Sequence, residues 1–203
     1  MTQRQVAKQA EQVGQVRPLR TNVPPDAELV ARCLRGDGWA EEALYRRHVH
    51  KVERVAARLV RNSHDIEDVV QDAFVQAYSR LDTLQDPSRL ASWLVSIVLN
   101  RARKKLRRRK LTRLLGLERS LDDEGLALQA AARASQEDRA ELAAVDRVLE
   151  TLHLEDRICW TLRHIEGHSL QETADLAGCS LATAKRRVKR ASEALDALRG
   201  ETP

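Results

Sequence analysis

Apolar residues recur along most of this chain at the three- and four-residue spacings of one helical face. The cleanest stripe is Ile66, Val69, Val70, Ala73, Phe74, Ala77 and Leu81. Its other side carries Asp65, Glu67, Asp68, Gln71, Asp72 and Gln76, so this segment reads as an amphipathic helix. A helix before it is expected from about Trp39 to Arg61, with Ala43, Leu44, Val52, Val55, Ala56, Leu59 and Val60 inward. A shorter one starts near Asp26 and ends at Gly36-Asp37-Gly38. Asp86-Pro87-Ser88 interrupts the pattern, and a fourth helix is expected from about Leu90 to Lys110. Near the C-terminus Ala184, Val188, Ala191, Leu195 and Leu198 mark a last packed face. No strand-like alternation persists anywhere.

These elements predict an all-α protein of two small helical domains joined by a flexible acidic linker. Residues 1–25 are polar, end in Pro24-Pro25 and read as a flexible extension. Residues 26–112 form the first domain, 113–136 the linker and 137–200 the second domain. The two halves are expected to stand as separate compact units, each with its own core.

Composition sharpens the picture in three ways. Hydrophobic content is 42% but aromatic content is 3%, so the core is built from Leu, Val, Ala and Ile, which suits helix-on-helix packing. No apolar run approaches a membrane span and no signal-peptide stretch opens the chain, so a cytoplasmic location without membrane insertion is expected. Cys33, Cys159 and Cys179 are too few and too irregular for a disulfide framework or a cysteine zinc site. They read as buried or half-buried thiols.

Charge adds more through its placement than through the net +5. RARKKLRRRKLTR, residues 101–113, holds nine bases and no acid. The stretch from Glu118 to Glu141 holds seven acids against three bases. Five bases then crowd into Lys185–Arg190. Local cationic patches separated by an acidic stretch are not the pattern of a uniformly solvated surface.

Several constellations carry candidate chemistry. On the last helix Lys185, Arg186, Lys189 and Arg190 fall opposite the packed face, with a shorter helix before it and Gly178 at the turn. Helix, glycine turn, basic helix is the pattern of a helix-turn-helix that sets its second helix in the DNA major groove. Ser169 and Glu172 fit a capping box, and Ser180 is placed to cap the basic helix. On the fourth helix Trp93, Ser96, Asn100, Arg103, Lys104 and Arg107 share one side, and Leu94, Val98 and Ala102 the other. An amide beside an aromatic and several bases suits base edges and phosphates. A cationic helix end without a partner is the plainer alternative. The acidic side of the third helix reads as a solvated face, a docking surface for a basic partner, or, through Asp65, Asp68 and Asp72, a metal site. His164 and His168 lack the H-E-x-x-H arrangement and read as ordinary histidines near a turn.

Three segments together resemble one family. HDIEDVVQDAFVQAYSRL, SWLVSIVLNRARKKLRRRK and LHLEDRICWTLRHIEGHSLQETADLAGCSLATAKRRVKRASEAL are similar, in that order, to regions 2.2, 2.3–2.4 and 4 of the extracytoplasmic-function (ECF) sigma factors of bacterial RNA polymerase, in the sigma-70 family. The resemblance implies a non-enzymatic initiation subunit that needs no metal or other cofactor. Its implied partners are core RNA polymerase, through the beta-prime clamp helices and the beta flap, promoter DNA, and an anti-sigma factor. It assigns Glu67, Asp68, Gln71 and Asp72 to polymerase docking. The loop Leu84–Ser92 with Asn100 would hold a base flipped from the −10 element, beside Trp93, while Arg103, Lys104 and Arg107 grip the backbone. Thr183, Lys185, Arg186, Lys189 and Arg190 would read the −35 duplex. Val95 stands where many relatives carry an aromatic, which implies limited melting power. A stand-alone helix-turn-helix regulator and a metal-dependent nuclease on the acidic helix are the rival readings.

Overall fold

The computed structural model describes residues 24–60, 62–115, 148–149 and 151–200. Seven α-helices run through them: α1 Asp26–Cys33, α2 Gly38–Leu59, α3 Ser63–Ser79, α4 Leu90–Leu114, α5 Leu154–Trp160, α6 Leu170–Ala177 and α7 Leu181–Gly200. No strand occurs among the described residues. The expected extension over residues 1–25 and the linker over 113–136 lie almost wholly outside the described residues.

Short polar side chains start the helices. The Asp37 carboxylate accepts from the amides of Trp39 and Ala40 at 3.0 and 3.4 Å. Asn62 does the same for His64 and Asp65 at 3.0 and 3.3 Å. Each satisfies amide groups that the first helical turn leaves without a carbonyl. Asp26, at the start of α1, receives Arg47 at 2.6 Å and His48 at 3.1 Å, tying α1 onto α2. Between α3 and α4 the 3-10 turns Leu81–Thr83 and Pro87–Arg89 carry the chain around one end of this first bundle.

The first unit packs α1 to α4 on a Val, Leu, Ile and Ala core that includes Leu29, Val52, Leu59, Val95 and Leu99. Phe74 stacks at 4.7 Å from Tyr45, and the Tyr78 hydroxyl donates to the Glu41 carbonyl at 2.8 Å. Leu94, Val98 and Ala102 face the core, as the helical spacing requires. Val95 is fully buried too, so it serves packing rather than the surface where DNA would open.

The second unit departs from plain helix once. After α5, residues Thr161–Ile165 form a π-helical turn, closed by the Glu166 amide donating to the Thr161 carbonyl at 3.0 Å. Trp160 and His164 stack across it at 5.2 Å.

The halves are not separate, contrary to the sequence expectation. Ile158, Cys159, Leu162 and Ala177 belong to the same contiguous apolar cluster as Val52, Leu59, Leu99 and Ala102. Polar contacts close the seam. The Arg157 guanidinium donates to the Leu59 carbonyl at the end of α2 at 2.8 Å, and Lys51 lies 3.4 Å from Glu166. Such contacts join residues about a hundred positions apart, where no periodicity reaches. They also satisfy a helix-end carbonyl that solvent would otherwise hold.

Candidate nucleic-acid interface

The turn before α7 is built as local chemistry requires. The Glu172 amide donates to Ser169 Oγ at 3.2 Å, and the Ser169 amide to Glu172 Oε2 at 2.8 Å, a complete capping box. Gly178 ends α6 at φ +67°, the left-handed conformation that glycine adopts without a Cβ penalty. Ser180 Oγ then accepts the Thr183 amide at 3.2 Å and starts α7.

On α7, Lys185, Arg186, Lys189 and Arg190 are all exposed, and Thr183 is half-buried with its hydroxyl 2.9 Å from that of Ser180. Lys185 and Arg186 meet no carboxylate among the described residues. Lys189 pairs with Glu193 at 3.5 Å, one turn along the same helix. Arg190 reaches the nearly buried Asp156 at 2.7 Å, which pins the recognition helix to α5. Arg187 turns inward instead, 3.4 Å from Glu155. A three-residue basic run thus divides between a free outer face and an inner anchor.

The basic run on α4 divides in the same way, and the sequence reading missed it. Arg101, Lys105 and Arg109 recur every four residues and face α3. Lys105 lies 2.8 Å from Asp65 and 2.7 Å from Asp68, Arg109 lies 3.2 Å from Asp65, and Arg101 lies 3.6 Å from Asp72. The signal was available: bases at i, i+4 and i+8 match acids at i, i+3 and i+7 on two helices long enough to lie side by side. Asp65, expected on the outward acidic side, is therefore buried, its side chain 11% exposed. Asp68 is 42% exposed. Lys105's bond holds the Asp68 carboxyl below the usual carboxylate range. Burial opposes the charge on Lys105, yet its bonds to Asp65 and Asp68 leave its pKa raised. Glu67, Gln71 and Asp72 remain exposed on the outer side of α3. The three aspartates take cations from α4 rather than converging on a metal.

The remaining bases of α4 point elsewhere. Asn100, Lys104 and Arg107 are exposed. Arg103 is not: its side chain is 14% exposed, and it makes a two-pronged bond to Glu155 at 2.8 and 2.9 Å. Its guanidinium also donates to the Ala177 carbonyl at 2.9 Å and to Asn100 at 3.4 Å. That Arg103 bond is the main cause that holds the Glu155 carboxyl below its ordinary range, against the opposing effect of burial. A cleft of about 410 Å³ opens nearby. Thr83, Leu84, Gln85, Asp86, Arg89, Ser92, Trp93 and Ser96 line one wall, and Glu172, Asp175 and Leu176 of α6 the other. The expected base-holding loop thus borders a cleft large enough for a small ligand. Trp93 lies in its wall; Asn100 does not. Cys33 and Cys159 are buried and Cys179 half-exposed, all three as free thiols.

A helical bundle with paired acid and base stripes, followed by a capped helix-turn-helix with an outward cationic face, defines a transcription factor of two DNA-facing modules. The Sigma-70 region 2 family matches residues 44–112, and Sigma-70, region 4, matches residues 142–195. The ECF RNA polymerase sigma-E factor of Escherichia coli K12 is 34% identical over 180 residues, covering 84% of this chain and 92% of that protein. The structure of CnrH in complex with the cytosolic domain of CnrY aligns with a TM-score of 0.62 and 29% identity, over 88% of this chain and 99% of that one. The sigma factor RpoE from Bartonella quintana, in complex with the anti-sigma factor NepR, shares the fold at a TM-score of 0.65 and 24% identity, over 80% and 98% of the two chains. The chain belongs to the ECF sigma factors of the sigma-70 family, which direct RNA polymerase to promoters. A stand-alone regulator would account for residues 142–195 and leave 44–112 without a role.

Proposed function

We propose that this chain, itself without catalytic activity, works in the cytoplasm, binding core RNA polymerase through the outer face of α3 and placing it on promoters through α4 and α7. Glu67, Asp68, Gln71 and Asp72 meet a basic polymerase surface, with the beta-prime clamp helices as the partner of region 2 and the beta flap as the partner of region 4. Lys185, Arg186, Lys189 and Arg190, with Thr183, enter the major groove of the −35 element. Asn100, Lys104 and Arg107 hold the −10 strand, Arg103 joins them, and the cleft beside Trp93 receives an extruded base. The observation that carries this reading is the exposed cationic face of α7 on a fully capped helix-turn-helix. The CnrH and RpoE structures, both with anti-sigma partners, support an anti-sigma factor as this chain's regulator. Residues 26–112 and 137–200 serve as the working domains, bridged by 113–136.

Reconstitution with core polymerase and transcription from a genomic fragment library tests the proposal. Promoter-specific transcripts are expected, and Asp68→Lys with Asp72→Lys should abolish polymerase association while the helical spectrum stays unchanged. Association that survives the double charge reversal would move the docking face elsewhere.

A further inference from the structure

Arg103 points at the one place where the two DNA-facing helices share a partner. The Glu155 carboxylate lies 2.8 Å from Arg103 on α4 and 3.4 Å from Arg187 on α7. Its two oxygens meet the Arg103 fork as the two oxygens of a phosphate would. Arg103's remaining capacity is taken by the Ala177 carbonyl, at the negative end of α6. Next to this lock, α6 walls the cleft beside Trp93, and it does so with the carboxylates of Glu172 and Asp175. Acidic side chains there repel a nucleic-acid backbone. Lys51 and Glu166, whose side chain is 4% exposed, hold the other side of the seam.

We infer that the free chain is autoinhibited by a closed state in which Glu155 of region 4 occupies Arg103 of region 2 and α6 covers the −10 cleft. The inference rests on the −10 role of α4 proposed above. DNA cannot take Arg103 until Glu155 releases it, so closure and −10 binding exclude one another. Core polymerase, by holding the two regions apart, removes the block.

Glu155→Gln and Lys51→Gln test this in the full chain without polymerase. Each breaks one side of the seam, and neither residue belongs to the proposed DNA or polymerase surfaces. A pair of fluorophores, one on α2 and one on α7, reports the distance between regions. A labelled single-stranded oligonucleotide of about a dozen nucleotides reports −10 strand affinity at fixed salt. Both variants should lengthen the distance and bind the strand at least about five-fold more tightly. The two act oppositely on charge: Glu155→Gln removes a repelling acid, but Lys51→Gln removes an attracting base, so tighter binding by the second comes from opening alone. An unchanged distance in both variants overturns closure. A longer distance with unchanged affinity for Lys51→Gln overturns inhibition. If one variant fails to fold, the other decides. The distance measurement needs no promoter, so closure stands or falls even where reconstituted polymerase finds none and the sigma reading fails.

Discussion

Replacing Asp65 with alanine should cost the fold more than the same change at Asp68, three residues along the same acidic stripe. Asp65 is 11% exposed at its side chain and accepts from Lys105 at 2.8 Å and Arg109 at 3.2 Å. Hydrogen bonds to charged groups contribute roughly 1.5–3 kcal/mol each. The loss is smaller than twice that, because Lys105 keeps Asp68 at 2.7 Å and both cations, 27% exposed, still reach water. About 2 kcal/mol is the expected net cost. Asp68 is 42% exposed, and exposed pairs contribute about 0–1 kcal/mol. With a urea slope of about 2 kcal/mol per molar, Asp65→Ala should lower the unfolding midpoint by about 1 M and Asp68→Ala by less than half of that. Circular dichroism at a series of urea concentrations measures both. Polymerase association should show the opposite order, because Asp68 presents its carboxylate to a partner. A midpoint shift for Asp68→Ala equal to or larger than that for Asp65→Ala would refute the reasoning, for burial would then not govern the α3–α4 ladder.

Other expected outcomes follow from the same geometry. Gly178→Ala places a Cβ at φ +67° where no atom lies within 4 Å, so the cost is backbone strain alone, about 1–2 kcal/mol. Thermal melting should register it while the folded protein keeps its −35 affinity. Lys185→Ala or Arg186→Ala should cost about 1–3 kcal/mol in −35 binding if that side chain reads a base, and should relax preference at that base in a promoter library. The Arg103–Glu155 contact should be insensitive to pH near neutrality. Glu155's native pKa lies below its ordinary 4.5, chiefly through Arg103's bond, so the contact's contribution is complete above that value and fades as pH falls toward the lowered one. Arg103, Arg187 and His153 are the charged or titratable groups that face it. Opening near pH 7 in the distance assay would implicate a histidine instead.

Which parts of this were legible in the sequence depends on how far apart the interacting residues lie. The capping box at Ser169 and Glu172, the glycine turn at Gly178 and the serine cap at Ser180 are all contained within a few residues, and each was readable. The outward placement of Lys185, Arg186, Lys189 and Arg190 follows from rotation about one axis, so it was readable too. The split of the α4 bases was readable only by comparing two helices, since Arg101, Lys105 and Arg109 are separated from Arg103 and Arg107 by which neighbour each meets. Treating the run as one cationic patch concealed it, and it left Asp65 on the wrong side of α3. Arg103 with Glu155 lies beyond any local rule. Their pairing depends on how two helical units settle against each other, which is decided by shape at Ala177, Leu162 and Leu59 rather than by a repeating pattern.

The π-helical turn at Thr161–Ile165 has a bearing on how such chains are compared. Its widened loop, Glu166 amide to Thr161 carbonyl, accommodates one residue more than an α-helix would. Shortening it by one would swing Glu166 through about 100°, away from Lys51. A single-residue gap at this spot in an alignment of relatives is therefore a change in how the halves latch, whereas the same gap in a surface loop is only a difference in length.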